Sequence, residues 1–369
     1  MRTRHLLVVA LCALVLAACG PAAGTGSAPS KPAAGALGGQ AGAPAAAAPT
    51  AAPAASAPSA APAGEPITFA LDWIIFGRHS GFFAALDKGF YAQEGLNVSI
   101  VRGFGGADAI KRAASGQAQF VFGDVPYLFV ARANEDLMVK TIASVYNRTP
   151  HILWFFADRG ISMPKDLEGR TLSAPAGDAI RSMFPAFAKA AGIDNSKVNW
   201  QTIDPTAKYP LMMSGQAEVS TEFLTALPVL ERQAAEVGRT LQVMRFSDYG
   251  ADLYGNSLMT TDAYIAEKPD VVRRFVAATL RGLEWAFQNP DEAAAILKKY
   301  NPEVDPAIAR QEVTILQELA VTEETRANGL GYFSPERMRR NRDLVAAAYT
   351  LNRPIEPEEV YTLEFLPRR

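Results

Sequence analysis

"ITFALDWIIFGRHSGFFAALDKGFYAQEGLNVSIVR", residues 67–102, reads as a strand, a helix and a second strand in succession. Residues 67–72 and 97–102 have strand composition. Between them a helix runs through Ala84 and Leu86 to a stop at Gly89. Such an alternation predicts βαβ units and a mainly parallel sheet. The rhythm continues with a helix over 107–114, Gly116 beyond its end, a strand over 119–124 and a helix across Tyr127 to Ala133. It restarts with a strand over 170–175, a helix capped by Asp178 and ending at Gly192, and strands over 198–203 and 217–223. Thereafter the pattern turns helical: Val272, Phe275, Val276, Thr279, Leu280 and Leu283 form one stripe, and 309–319 and 336–348 are further helices.

An internal echo suggests two similar lobes. "SGQAQFVFGD" (115–124) and "SGQAEVSTEF" (214–223) each place a Ser-Gly stop before a strand, with an acidic residue near the strand's end, Asp124 and Glu222. Two α/β lobes commonly hold a ligand between them, beyond the carboxyl ends of their strands. The stretch 72–83 would sit there. Its mixture of Asp72, Trp73, Arg78 and His79 with bare aromatics is not what a turn needs for its own geometry.

The amino-terminal region indicates export. Arg2 and Arg4 precede an apolar run, Leu6 to Leu16, that is too short to span a bilayer and suits a signal peptide. Leu16-Ala17-Ala18-Cys19-Gly20 looks like a bacterial lipobox, which implies a signal peptide over 1–18 and lipidation of Cys19. An ordinary secretory signal with a stray Cys is the alternative. Only Cys12 and Cys19 exist, so no disulfide framework supports the mature chain. Residues 19–64 are nearly all Ala, Pro, Gly and Ser after the Cys, with one charge at Lys31, and read as a disordered tether spanning roughly 35–40 Å. The remaining 300 or so residues suffice for two lobes. A net charge of −2 argues against nucleic acid as partner.

"LDWIIFGRHSGFFAALDKGFYAQEGLNVSIV" (71–101), "GADAIKRAASGQAQFVFGD" (106–124), "MPKDLEGRTLSAP" (163–175) and "LMMSGQAEVS" (211–220) together resemble solute-binding proteins of ABC importers. The branch is the one holding binders of the thiamine pyrimidine precursor, of taurine-like sulfonates and of riboflavin; the likeness is greatest to the riboflavin-binding members. The resemblance implies an α/β fold of the type II periplasmic-binding class, with residues 65–157 plus 258–369 as lobe 1, 158–257 as lobe 2 and a hinged cleft between. It further implies a monomer, lipid-anchored on the outer face of the cell membrane, that hands a vitamin to an ABC permease and its ATPase. The expected cargo is riboflavin, with the thiamine pyrimidine precursor (formylaminopyrimidine or hydroxymethylpyrimidine) as the alternative. A related pyrimidine synthase branch carries a run of cysteines and a reactive His. His79 stands where that His is expected, but the mature chain has no cysteine cluster, so no catalysis is expected.

Several residues are candidates for gripping a planar ligand. Trp73 would stack on its ring beside Phe76, and His79 with Asp72 would meet its polar edge. The loop Gly103-Phe104-Gly105-Gly106 offers amides at a helix start. Asp124 and Glu222 would accept hydrogen bonds from ring N–H groups. Trp154, in the run Trp154-Phe155-Phe156, would form the cleft floor, although such a run also reads as a buried strand. Asp178, Tyr209, Tyr254 and Asn256 complete the set from the second lobe and hinge. Three His in the whole chain make a metal site unexpected, and no cofactor is expected beyond the transported ligand. The predicted mouth holds more aromatics than cations, which weighs against a sulfonate cargo.

Overall fold

A computed structural model describes residues 64–368. The expected signal peptide, Cys19 and the expected tether up to residue 63 lie outside the described residues. Ten strands form two five-stranded sheets among the described residues. In chain order the strands are β1 Glu65–Ala70, β2 Leu96–Val101, β3 Phe120–Asp124, β4 Val139–Ser144 and β5 His151–Phe156. There follow β6 Thr171–Ala174, β7 Asn199–Thr202, β8 Val219–Phe223, β9 Leu241–Arg245 and β10 Asn256–Thr261. The first sheet is ordered β2-β1-β3-β10-β4 and the second β7-β6-β8-β5-β9. Each therefore contains three parallel strands joined by helical crossovers, then an antiparallel strand that arrives from the other half of the chain.

The two echoed segments occupy the same place in the two sheets, as β3 and β8. The chain crosses from the first sheet to the second over residues 145–150 and returns over 246–255. This differs from a division at 157. The run 151–156 is the antiparallel strand of the second sheet, pairing Ile152 with Glu222 and Trp154 with Ser220 on one side and Trp154 with Val243 on the other. A strand flanked on both edges and covered on both faces has no polar side to show, which is why it is apolar from Ile152 to Phe156.

Around the first sheet the core is aromatic. Phe120 stacks on Phe275 with centroids 3.8 Å apart, and Phe69 and Phe82 meet edge to face at 5.1 Å. Phe275 comes from the helix Pro269–Gln288, whose predicted stripe Val272, Phe275, Val276, Thr279, Leu280 and Leu283 is buried in full. The helices expected over 309–319 and 336–348 are present as Pro306–Ala320 and Pro335–Ala348. Asp178 caps the helix Ala179–Ala191, its Oδ1 accepting the Arg181 N–H at 2.9 Å. No helix among the described residues is long and apolar enough to cross a membrane.

Candidate functional site

The turn that follows β1 is tied together by one carboxylate. Asp72, 3 % exposed, accepts from His79 Nε2 at 2.8 Å through Oδ1, and through Oδ2 from Arg78 Nη2 at 3.3 Å and Asn256 Nδ2 at 3.0 Å. His79 Nδ1 accepts the Phe76 backbone N–H at 3.1 Å. An imidazole that accepts at Nδ1 carries its proton at Nε2, so His79 is the neutral tautomer that donates to Asp72. Burial holds its pKa below the ordinary value, helped by the Arg78 charge. Burial alone would raise the Asp72 carboxyl, but Arg78 and His79 outweigh it and hold it below the usual range. His79 thus fastens the turn instead of facing the ligand. Its ring is fully enclosed with both nitrogens engaged, which leaves it no role as a base.

What this scaffold presents to the cleft is Arg78. Its guanidinium carbon lies 5.1 Å from the Phe76 ring and 5.2 Å from the Phe223 ring, so one cation is held between an aromatic of each half. Its Nε is buried without a hydrogen-bonding partner. Opposite stands Lys208, 6 % exposed at the start of the helix Lys208–Met213. Its Nζ lies 3.1 Å from Glu222 Oε2 and 3.6 Å from Asp178 Oδ2. Burial pulls the Lys208 pKa down, yet the two carboxylates prevail and raise it. The Tyr209 hydroxyl donates to Glu222 Oε2 at 2.9 Å, the Phe223 N–H to Oε1 at 2.9 Å, and Thr221 Oγ1 to Asp178 Oδ2 at 2.8 Å.

Between these two clusters the cleft has a narrow inner end and a wide outer chamber. The inner end, bordered by Arg78, Gly105, Asp178 and Glu222, encloses about 30 Å³, room for one or two waters. The outer chamber, about 570 Å³, is bordered by Phe76, Arg102, Tyr209 and Tyr300. Trp73, Lys208 and Glu222 border both.

Of the sequence candidates, Asp72, Trp73, Phe76, Gly105, Asp178, Tyr209 and Glu222 line this cleft, and His79 and Asn256 stand behind it as partners of Asp72. Four others do not line it. Trp154 is sealed inside the second sheet's core, edge-on to Tyr209, and is not the floor. Phe104 points to solvent, 54 % exposed, under the guanidinium groups of Arg102 and Arg112. Tyr254 is turned away, its hydroxyl donating to Glu324 at 2.6 Å and its ring beneath Arg337. Asp124 caps the helix Val125–Asn134 and lies 3.1 Å from His151 Nε2. The echo explains the last case: Asp124 aligns with Phe223, one residue beyond Glu222, and successive strand side chains point to opposite faces. The amides of Gly103 and Gly105 are not free for an anion either, since they donate to the carbonyls of Trp73 and Asp72 at 3.0 and 2.7 Å.

Arg78, Lys208 and Arg102 are the site residues that sequence reasoning missed. The mouth is therefore not short of cations. Arg78 stood in the decisive stretch, but only the fold shows that it passes over its own turn into the gap. Among the described residues no set of three His, Cys, Asp or Glu comes together as metal ligands.

The lips of the cleft touch at Gly105, which has φ +139°; a Cβ there would lie 2.5 Å from the Gly177 carbonyl oxygen. Gly105→Ala is expected to wedge the lips apart. The strain and clash of about 1–3 kcal/mol should weaken ligand binding about tenfold by titration. Unchanged affinity would remove Gly105 from the closing contact.

The model of the NMT1/THI5-like family matches residues 77–293. The chain belongs to that family. Among its NMT1/THI5-like relatives, the riboflavin-binding protein RibY of Chloroflexus aurantiacus is 31 % identical over 315 residues, covering 82 % of this chain and 86 % of the relative. The formylaminopyrimidine-binding protein of Halalkalibacterium halodurans is 30 % identical over 236 residues, covering 63 % and 70 %. In fold, this NMT1/THI5-like chain matches the alkanesulfonate-binding protein SsuA of Xanthomonas axonopodis pv. citri, solved with MOPS bound. That match has a TM-score of 0.63 at 12 % identity and covers 83 % of this chain and all of the other. The type II periplasmic-binding architecture expected from the sequence is thus the fold the chain has.

Proposed function

We propose that this protein is the solute-binding component of an ABC importer, and that it closes on riboflavin and delivers it to a permease. The observation that carries the reading is Trp73, half-buried and bordering both the narrow polar end and the 570 Å³ chamber. A ring stacked on that indole would place its hydrogen-bonding edge at Arg78, Glu222 and Lys208, and its ribityl chain in the outer space. The chamber lies within the range of roughly 300–1,000 Å³ typical of sites for such ligands, and is generous for a lone pyrimidine. The riboflavin-binding relative, aligned along most of both chains, supports the same choice. Anchoring of a monomer to the outer face of the membrane through lipidated Cys19 completes the proposal, with binding and release, not catalysis, as the activity.

Riboflavin added to the purified protein should lose fluorescence as it stacks on Trp73. Trp73→Ala should weaken binding about tenfold or more, since stacking adds roughly 0.5–1.5 kcal/mol to the lost apolar contact. Unchanged flavin fluorescence, together with heat released on adding formylaminopyrimidine, would overturn riboflavin in favour of the thiamine precursor.

A further inference from the structure

Behind the Arg78 turn lies a buried carboxylate that the cleft itself does not use. Glu312, on the helix Pro306–Ala320, is 2 % exposed and borders a side cavity of about 230 Å³ that shares Ile74, Ile75 and Phe76 with the outer chamber. Its Oε2 presses on the turn so closely that a Cβ at Gly77 would sit 2.5 Å away. The Arg78 charge is acted on by Asp72, Glu222 and Glu312 together. At the inner end, then, two buried cations, Arg78 and Lys208, face three carboxylates, Asp72, Asp178 and Glu222, and Glu312 is a fourth standing behind the turn that carries Arg78.

We propose that Glu312 sets the charge selectivity of this cleft: as the fourth carboxylate it makes the inner end reject anionic head groups, sulfonate or phosphate, and admit neutral heterocycles. The inference rests on the vitamin-binding reading and names what that site excludes. With Arg78 paired to Asp72 and acted on by Glu222 and Glu312, and Lys208 held by two carboxylates, an anion that reaches the inner end meets no uncompensated positive charge there. It would also give up its hydration in a gap with room for one or two waters.

Charge at this position depends on pH. Burial pushes the Glu312 carboxyl up to about 7, against the lowering pull of Arg78 and the N–H groups of Gly77 and Arg78, with Glu222 adding to the rise. Tyr146 and Tyr209 face the same cluster and are pushed above the ordinary tyrosine value by burial, so they stay neutral. His79 is held neutral and Asp72 charged, while Arg232, Glu303 and Asp305 border the side cavity. Among the groups whose ionisation the surroundings displace here, Glu312 alone changes charge between pH 6 and 8.5. The carboxyl is ionised above its raised value and neutral below it, so rejection should be full at pH 8.5 and relaxed at pH 6.

The test is calorimetric titration of the full protein with riboflavin and with 2-naphthalenesulfonate, an aromatic anion that keeps its charge throughout. At pH 8.5 Glu312→Gln should bind the sulfonate about tenfold more tightly than the wild type, with riboflavin affinity changed less than about threefold, and Glu312→Asp should stay close to the wild type. Wild-type affinity for the sulfonate should rise toward that of Glu312→Gln as pH falls to 6, while the variant stays flat. Equal sulfonate binding by wild type and Glu312→Gln at pH 8.5, or a pH response that survives in Glu312→Gln, overturns the proposal and leaves riboflavin binding intact. A wild type that takes no riboflavin, with the sulfonate gain present in Glu312→Gln, supports the role of Glu312 and removes the cargo instead.

Discussion

Asp72→Ala should lower the melting temperature by about 10 °C, the largest single loss expected from this turn. The substitution strands a guanidinium in a site that is 3 % exposed and removes the acceptor of both His79 Nε2–H and Asn256 Nδ2–H. Breaking a buried pair from one side costs about 3–5 kcal/mol, and each kcal/mol shifts the melting point of a domain this large by about 2–4 °C. The sign of the pH dependence is fixed by the depressed carboxyl. A folded-state value below the ordinary 3.8 means that the wild-type contribution is present above that pH and lost as pH falls through the folded value. The gap between wild type and Asp72→Ala in thermal melts should therefore be full at pH 7 and close in strong acid. A loss below about 2 °C at pH 7 would mean that Arg78 finds another partner.

Lys208→Met should be comparably costly, with its pH dependence on the alkaline side. It leaves Asp178 and Glu222, at 7 % and 8 % exposure, sharing a gap without the ammonium that sits 3.6 and 3.1 Å from them. Two like charges in so dry a place cost about 3–5 kcal/mol unless one takes up a proton. In the wild type Lys208 has a raised value, so its contribution is fully present below the ordinary 10.5 and lost only as pH rises through the folded value. The deficit of the variant should therefore be full at pH 7 and shrink only as pH rises past 10.5. Melts of both proteins across that range check it. A deficit independent of pH would show that lost packing of the lysine stem, not charge, is what matters.

The three parallel strands of each sheet were readable because each is followed locally by its helix, and all but β3 by a Gly stop as well. The antiparallel strands β5 and β10 were not, because their partners come from the other half of the chain. HILWFF announced burial on both faces but not which sheet would bury it. Trp73 was found since a large aromatic in a tight turn has no local reason to be there. Arg78 and Lys208 were not, for the opposite reason: charged residues near turns are ordinary, and what singles these out is enclosure by carboxylates. Arg78 meets Asp72 six residues earlier, but Lys208 meets Asp178 thirty residues away in sequence. Asp124 shows how fine the limit is, since a one-residue offset between two matching strands exchanged a cleft carboxylate for a helix cap.

That same Asp124 has a mechanical consequence. It ends a strand of one sheet while His151, 3.1 Å away and equally enclosed, begins a strand of the other. Parting the halves there would expose to water two buried polar atoms, Asp124 Oδ2 and His151 Nε2, that make no hydrogen bond in this form, so opening at this point relieves a cost instead of adding one. Asp124 also lies against Gly106, next to the Gly105–Gly177 contact, so this relief falls on the side of the cleft where the lips touch.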